Sequence, residues 1–196
     1  MRIGVFGGTF DPPHAGHLAL ATAAAEQLEL DEVLFLPANK NPLKSRKVQT
    51  PPKHRAGMVE ALIRENPQFA TSDIEITRGG PSYTVDTLTE LLMARPAEYW
   101  LLMGADSLKS LPEWKHPHRI LKMARLGVVV RPPTNPLDVL GRVPDEVKER
   151  VDIVNMQPVA ISSTELRDRL ARHQNVNQWI PTDVLKYIHT HRLYSV

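Results

Sequence analysis

The sequence predicts an α/β fold, and three observations support that class. Short apolar or β-branched runs alternate with helical patterns along nearly the whole chain, which is typical of a parallel sheet connected by helices. The first run, Ile3 to Phe6, breaks at two glycines and leads into an Ala/Leu-rich stretch from Leu18 to Leu28. No repeat, low-complexity segment or linker divides the 196 residues. We therefore expect a single domain, residues 1–196, with a Rossmann-like, doubly wound, mainly parallel sheet and helices on both faces.

The predicted elements follow from hydrophobic periodicity and from turn residues. The strands are expected near Arg2–Phe6, Glu32–Leu36, Thr71–Ile76, Tyr99–Met103, Leu126–Val130 and Asp152–Asn155. The helices are expected near His14–Leu28, Lys53–Glu65, Thr84–Ala94, His118–Ala124, Thr164–Arg172 and Pro181–His189. The tail from Trp179 to Tyr194 is predicted to be a terminal helix without chemistry of its own. Because a doubly wound sheet binds ligands beyond the carboxyl ends of its strands, function is expected in the loops that follow strands.

The composition is typical of a globular protein, with 42% hydrophobic and 23% charged residues. No apolar run has membrane-spanning length and no secretory leader is evident, so we expect no membrane association and a cytoplasmic location. The chain has no cysteine, which excludes disulfides and thiolate chemistry. A net charge of +2 is too small to indicate a nucleic-acid partner. The oligomeric state is not readable from the sequence, and a homo-oligomer remains an open alternative.

The segment from Gly7 to His17 has the features of a phosphate-binding turn. A strand, a glycine turn and a helix in this order place backbone N–H groups and a helix N-terminus where an anion can bind. His14 and His17 are three residues apart and share one helical face, so both can reach that anion. A packing turn with two surface histidines is the alternative, and a zinc site lacks a third ligand nearby. The dinucleotide fingerprint G-x-G-x-x-G is absent, because the glycines have the wrong spacing.

A second segment, from Ile161 to Arg167, follows the last predicted strand. Ser162 and Glu165 have the spacing of a capping box, so a helix is expected to begin here. Ser163 and Arg167 are four residues apart, which places a hydroxyl and a guanidinium on one face, where Arg167 can bind phosphate oxygens through two donors. A helix cap alone is the simpler explanation of the same pattern.

Together these segments resemble the nucleotidylyltransferase superfamily, whose members transfer AMP or CMP from a nucleoside triphosphate. The string Gly7-Gly8-Thr9-Phe10-Asp11-Pro12 with the two histidines resembles its signature, and Ile161–Arg167 resembles its I-S-[ST]-T-x-[IL]-R element. The resemblance implies that His14, His17 and Arg167 are catalytic. It also implies an ATP site composed of Gly7, Gly8, Thr9, Phe10, His14, His17, Gly104, Asp106, Ile161, Ser162, Ser163, Thr164 and Arg167.

Two further segments point to one family within this superfamily. The first follows a predicted strand and consists of Gly104-Ala105-Asp106-Ser107-Leu108, with Trp114 beyond it. Taken alone, Asp106 is more simply a helix cap and Trp114 a core or rim aromatic.

The second segment is Pro81-Ser82-Tyr83-Thr84-Val85-Asp86-Thr87-Leu88, which taken alone is a loop and a helix start. The string P-S-Y-T-x-D-T-L resembles a hallmark of the nicotinate-nucleotide adenylyltransferases. In that family the Thr and nearby N–H groups bind the nicotinate carboxylate, and the Trp stacks on the pyridine ring.

The loop from Pro37 to Lys47 carries four cations between Lys40 and Lys47, as an ordinary surface loop would, but it follows a predicted strand. The family loop often ends P-P-H-[KR], whereas this chain has Asn41-Pro42-Leu43-Lys44, so a phosphate role there depends on Lys44 or Lys47. His54 and Arg55, at the start of the next helix, are weaker candidates. The resemblance implies a nicotinate mononucleotide site composed of Thr9, Asn39, Lys44, Tyr83, Thr84, Asp106 and Trp114.

The implied reaction is adenylyl transfer from ATP to nicotinate mononucleotide, giving nicotinate adenine dinucleotide and pyrophosphate, in NAD biosynthesis. Mg²⁺ is expected with ATP, held mainly by phosphate oxygens and water and not by a protein cage. A pantetheine-phosphate adenylyltransferase and a cytidylyltransferase share the histidine motif and are the alternatives within the superfamily. The first is expected to be shorter and to lack P-S-Y-T-x-D-T-L. A non-catalytic nucleotide sensor with an inherited fold is the alternative from another class.

Overall fold

The computed structural model describes residues 1–42, 50–141 and 143–194. In these residues a six-stranded sheet has the order β3-β2-β1-β4-β5-β6, and its neighbouring strands pair in parallel. This arrangement confirms the predicted Rossmann-like, doubly wound sheet. The strands are β1 (Arg2–Gly8), β2 (Glu32–Pro37), β3 (Phe69–Thr71), β4 (Glu98–Gly104), β5 (Arg125–Val130) and β6 (Val151–Asn155).

The helices alternate with the strands along the chain. They are α1 (Ala15–Gln27), α2 (Pro52–Ile63), α3 (Ile74–Arg78), α4 (Thr84–Ala94), α5 (Ala105–Lys109), α6 (Pro117–Met123), α7 (Pro136–Leu140), α8 (Asp145–Lys148), α9 (Ser163–Ala171) and α10 (Thr182–Thr190), with a 3-10 turn at Leu111–Glu113. Among the described helices, none is long and apolar enough to cross a membrane.

Two hydrophobic cores lie on opposite faces of the sheet. Because successive side chains of a strand point to opposite faces, β1 sends Ile3 and Val5 to one core and Phe6 to the other. The core around Phe6 is closed by α1, α2, α9 and α10, and the core around Val5 is closed by α4, α5 and α6. The predicted placement of helices on both faces is therefore confirmed.

One predicted strand is wrong over most of its length. The sequence predicts a strand over Thr71–Ile76, where three of six residues are β-branched, but β3 ends at Thr71 and α3 begins at Ile74. Glu75, in α3, is buried and accepts a hydrogen bond of 2.8 Å from the hydroxyl of Thr87 in α4. This tertiary contact overrides the local strand preference. The short helices α3, α5, α7 and α8 were also not predicted, because four or five residues are too few to show a helical period.

Strands β1 and β4 are neighbours in the sheet although they are distant in the chain. The winding direction of the sheet reverses between them, so the loops after these two strands diverge and leave a crevice at the carboxyl edge. That crevice contains the glycines at the ends of both strands, Gly7 and Gly8 of β1 and Gly104 of β4. The fold thus places the predicted motifs around one opening.

Candidate active site

In the part of the chain that the structure describes, two adjoining clefts occupy the carboxyl edge of the sheet. We call them the Trp114 cleft and the His14 cleft, after a residue that lines each of them. Gly104 and Ser107, at the end of β4 and in α5, line both clefts. A ligand or a pair of ligands can therefore extend from one cleft into the other across the end of β4.

The Trp114 cleft has a volume of about 240 Å³ and brings together three of the predicted nicotinate residues, Tyr83, Thr84 and Trp114. The indole Nε1 of Trp114 donates a hydrogen bond of 3.1 Å to the Ser110 hydroxyl, which fixes the ring in its orientation. Thr84 is the first residue of α4, so the positive end of that helix lies at the cleft wall. Two flat aromatic side chains and a helix N-terminus suit a planar ring that carries an anionic group.

Lys115 also lines the Trp114 cleft, and sequence reasoning did not identify it. Its Nζ lies 2.9 Å from Asp86 Oδ2 and 4.5 Å from the centre of the Tyr83 ring. Among the described residues it is the one basic side chain in the cleft wall, whereas Glu75 and Glu113 supply carboxylates. Its position directly after Trp114, the tryptophan of the family motif, could have indicated it in the sequence.

Asn39 holds the loop after β2 against the segment that precedes α4. Its side-chain nitrogen donates to the carbonyl of Gly80 at 2.8 Å, and its backbone N–H donates to the Ser82 hydroxyl at 2.9 Å. The neighbouring residues Ala38 and Asn41 line the Trp114 cleft. Lys44 and Lys47, the predicted phosphate contacts of this loop, lie outside the described residues.

The His14 cleft has a volume of about 420 Å³ and contains both predicted catalytic histidines. His14 caps α1: its Nδ1 accepts the N–H of Gly16 at 3.1 Å. Nδ1 of His17 accepts the N–H of His14 at 3.2 Å, and the two ring centres are 3.8 Å apart. Because each Nδ1 accepts a backbone hydrogen bond, each ring carries its proton on Nε2. The capping box therefore fixes one donor on each histidine.

Burial and the positive charge of Arg131 lower the pKa of His14 to about 4. His14 is therefore neutral at pH 7. Arg131 follows β5 directly and lines the same cleft. Sequence reasoning missed this arginine, although a cation after the end of a strand was an available signal.

The Ile161–Arg167 segment meets the loop after β1. Helix α9 begins at Ser163, and the hydroxyl of Ser162 accepts the N–H of Glu165 at 3.2 Å, which confirms the predicted helix start and its serine cap. The carboxylate of Glu165 accepts from Arg169 at 2.8 Å, so it is not seen to complete the predicted capping box. Ile161 lines the His14 cleft. Arg167 Nη1 donates to the carbonyl of Asp11 at 2.6 Å, and its Nη2 donates to the hydroxyl of Thr164 at 3.2 Å.

Asp106 lies in the His14 cleft, beside the histidines. Its carboxylate is 90% exposed and lies 2.8 Å from Lys109 Nζ, and this hydrogen bond and charge hold the pKa of Asp106 below its usual value. The structure thus places Asp106 with the predicted ATP residues. The described wall of the Trp114 cleft does not include it, which separates it from the ring residues.

Phe10 and Gly8 form a packed layer beneath the histidines. Phe10 is 1% exposed and its ring centre lies 5.0 Å from that of His17. A Cβ on Gly8 would lie 2.7 Å from the Phe10 ring, whereas a Cβ on Gly7 would meet no described atom within 4 Å. Gly8 is thus needed by the packing of the protein itself. Gly7 has no such requirement from the described atoms, so a ligand has room to approach its backbone.

Arg55, a weaker phosphate candidate from the sequence, has a different position. It is 1% exposed, and it donates to the carbonyls of Thr9, Thr50 and Asn39 at 2.8, 3.1 and 3.3 Å. Burial lowers the pKa of Arg55, and the Asp11 carboxylate opposes that shift. Arg55 therefore connects the loop after β1 with the loop after β2 through buried hydrogen bonds. His54, in α2, contacts α10, with its Nδ1 3.3 Å from the Tyr187 hydroxyl.

Comparisons with known proteins place this site in a class. The chain is a cytidylyltransferase-like protein, since the family model of that description matches residues 5–169. A protein of Thermomicrobium roseum is 42% identical over 98% of this chain and 91% of its own length. A protein of Exiguobacterium sibiricum is 41% identical over the full length of both chains. Both relatives are named probable nicotinate-nucleotide adenylyltransferase, and this chain belongs to that family.

A solved structure agrees with this assignment at the level of the fold. The nicotinic acid mononucleotide adenylyltransferase of Plasmodium falciparum, complexed with NaAD, superposes with a TM-score of 0.80. It covers 98% of this chain and 97% of its own, at 19% sequence identity. At that identity the likeness supports the six-stranded fold and carries no information on individual side chains.

Proposed function

We propose that this protein transfers the adenylyl group of ATP to nicotinate mononucleotide, producing nicotinate adenine dinucleotide and pyrophosphate. The observation that carries the proposal is the junction of the Trp114 cleft and the His14 cleft at Gly104 and Ser107. One cleft suits a pyridine ring, the other suits a triphosphate, and their junction is where the two substrates would react. The names of the full-length relatives support the same reaction.

The chemistry requires positioning more than a strong base. The 5′-phosphate oxygen of nicotinate mononucleotide attacks the α-phosphorus of ATP in line. A new P–O bond forms as the bond from the α-phosphorus to the bridging oxygen breaks, and pyrophosphate leaves with that electron pair. Because a phosphate monoester is already an oxyanion at neutral pH, no group must remove a proton. The protein must align the two phosphates and stabilise the charge that develops between them.

We assign that stabilisation to donors around the His14 cleft. The Nε2–H groups of His14 and His17 would donate to the triphosphate, with His17 at the α-phosphate. Arg131 would add a positive charge from the wall of the same cleft. Arg167 would bind the β- and γ-phosphates with donors beyond those it gives to Asp11 and Thr164. The backbone of the glycine turn, together with Thr9, Ser163 and Thr164, would complete the phosphate contacts.

Mg²⁺ is the metal that we propose to accompany ATP. In the described residues no group of three or more His, Asp or Glu is arranged to hold a metal ion. Mg²⁺ is commonly held by phosphates, water and one or two carboxylates. Asp106 and Asp138 are the carboxylates in the described wall of the His14 cleft. The ion would neutralise charge on the triphosphate.

The acceptor site is proposed to lie in the Trp114 cleft. Trp114 and Tyr83 would enclose the pyridine ring, and Thr84 at the start of α4 would donate to the nicotinate carboxylate. Lys115 would supply the opposing charge, since its ammonium already lies against Tyr83. Asn39 would hold the loop beside this site, and Lys44 remains our proposed contact for the mononucleotide phosphate.

The proposed function is tested by pyrophosphate release from ATP and Mg²⁺ with nicotinate mononucleotide, nicotinamide mononucleotide or phosphopantetheine as acceptor. The proposal predicts turnover with nicotinate mononucleotide and much less with the others, since an amide leaves the donors of a carboxylate site unpaired. Turnover only with phosphopantetheine would move the chain to the sister activity. No release with any acceptor would favour a nucleotide sensor.

Replacing Lys115 with methionine tests the charge in the Trp114 cleft. We expect kcat/KM for nicotinate mononucleotide to fall by about tenfold, the size of one hydrogen bond to a charged group. The kcat/KM for nicotinamide mononucleotide should change by less than about twofold, because an amide carries no charge to lose. Lys148→Met is the control, since Lys148 pairs with Asp145 on the surface at 2.6 Å. An equal loss with both acceptors would contradict the assignment.

A further inference from the structure

The end of the described chain reaches the loop after β1. Beyond α10 the chain turns back, and the hydroxyl of Tyr194 donates to Asp11 Oδ1 at 2.5 Å. Asp11 is 3% exposed, and the same hydroxyl lies 3.7 Å from the sulfur of Met58 in α2. Sequence reasoning expected no chemistry in this tail. The structure instead places its tyrosine beneath the phosphate-binding turn.

The backbone carbonyls of Asp11 and Pro12 also accept hydrogen bonds from α9. The carbonyl of Asp11 accepts Arg167 Nη1 at 2.6 Å, and the carbonyl of Pro12 accepts the Ser163 hydroxyl at 3.0 Å. Tyr194 therefore holds the side chain of a residue whose backbone holds Arg167. His14 follows only three residues later and begins α1 as its cap.

The hydroxyl of Tyr194 serves a buried carboxylate. A carboxylate removed from water needs hydrogen-bond donors, because burying it without them is costly. Burial and the neighbouring carboxylate of Asp11 raise the pKa of the Tyr194 phenol well above its usual range, so the hydroxyl is protonated and donates at neutral pH. Loss of this donor would leave Asp11 free to move toward other partners, and the turn would move with it.

We propose that Tyr194 is a positioning residue for adenylyl transfer, whose hydroxyl fixes Asp11 so that Arg167 and His14 are held in reacting geometry. The inference rests on the proposed function and adds a residue from the C-terminal tail to it. It predicts a change in kcat more than in substrate affinity. Ground-state binding uses many contacts, whereas a shift of about 1 Å in reacting groups can cost up to about 10²-fold in rate.

The test compares Tyr194→Phe with Tyr187→Phe. Both substitutions remove only a hydroxyl, and Tyr187, in α10, bonds to His54 and not to the turn. For Tyr194→Phe we expect kcat to fall about tenfold, with KM for both substrates within about twofold of wild type. For Tyr187→Phe we expect unchanged kcat. If kcat falls equally in both variants, or only in proportion to lost thermal stability, the role of Tyr194 is merely structural and the inference is wrong.

A double mutant tests whether Tyr194 affects kcat through Asp11. With Asp11→Asn already present, adding Tyr194→Phe should lower kcat by no more than about twofold, because both substitutions weaken the same hydrogen bond. Losses that multiply fully would mean that Tyr194 does not act through Asp11, and would overturn the inference.

Failure of the proposed function would be seen separately, as absence of turnover in the wild type. Amide hydrogen exchange then tests the positioning role of Tyr194, since the measurement needs no turnover. Faster exchange at residues 8–14 in Tyr194→Phe, but not in Tyr187→Phe, supports the positioning role. Unchanged exchange in both variants contradicts it.

Discussion

The His17→Ala variant is expected to turn over about 10²- to 10³-fold more slowly than wild type, while its ATP dissociation constant changes by less than about tenfold. The Nδ1 of His17 accepts the N–H of His14, so the ring carries its proton on Nε2, and His17 lines the His14 cleft. A donor at the α-phosphate interacts more strongly with the transition state, where negative charge is redistributed, than with bound ATP. Steady-state kinetics and calorimetric titration of ATP measure the two quantities.

The control for this variant is His118→Ala, in which an exposed histidine of α6 is removed. It should keep wild-type kcat and ATP affinity. A loss of ATP affinity as large as the loss of kcat would contradict the role of His17, because it would mean that the histidine binds substrate and transition state equally. Thermal unfolding of both variants checks that the lost capping-box hydrogen bond from the His14 N–H to His17 does not account for the result.

The Arg55→Met variant is expected to lose about 3–5 kcal/mol of unfolding free energy, which corresponds to a melting temperature lower by roughly 10 °C. Arg55 is buried and donates to the carbonyls of Thr9, Thr50 and Asn39. Methionine fills a similar volume but leaves these carbonyls without that donor. It also removes a positive charge near the buried carboxylate of Asp11. Chemical denaturation measures the difference.

The matched control is Arg64→Met, one residue beyond α2. The side chain of Arg64 is 67% exposed and pairs with Asp183 at 2.9 Å, so its removal should cost less than about 1 kcal/mol. Similar losses in Arg55→Met and Arg64→Met would show that the buried contacts of Arg55 contribute little. Since Arg55 joins two loops of the site, its variant should also lose activity at temperatures where it remains folded.

The parts of the fold that were predictable depend on local sequence. The strand, glycine turn and helix that contain His14 and His17 follow from periodicity and from turn residues. Helix α4 begins at Thr84 as predicted, although its N-cap is Tyr83 and no side-chain hydrogen bond caps it. The cap of α9 at Ser162 was predictable from the local sequence. By contrast, the strand expected at Thr71–Ile76 was wrong because Glu75 is drawn into a helix by its bond to Thr87.

The candidate site was predictable where a motif is contiguous and was missed where it depends on distant parts of the chain. His14, His17 and Trp114 lie in strings whose chemistry is visible in the sequence. Arg131 and Tyr194 reach the site only because β5 and the C-terminal tail are folded against it. Nothing in their spacing indicates these contacts. The role of Arg55 was misjudged for the same reason, since its burial depends on how the two loops meet above it.

The central claim is tested most directly by identifying the products of the wild-type protein with ATP, Mg²⁺ and nicotinate mononucleotide. Chromatography with mass spectrometry is expected to find nicotinate adenine dinucleotide and pyrophosphate in equal amounts, and the His17→Ala variant should form both far more slowly. ADP and phosphate as products, or ATP bound without any dinucleotide being formed, would contradict the account.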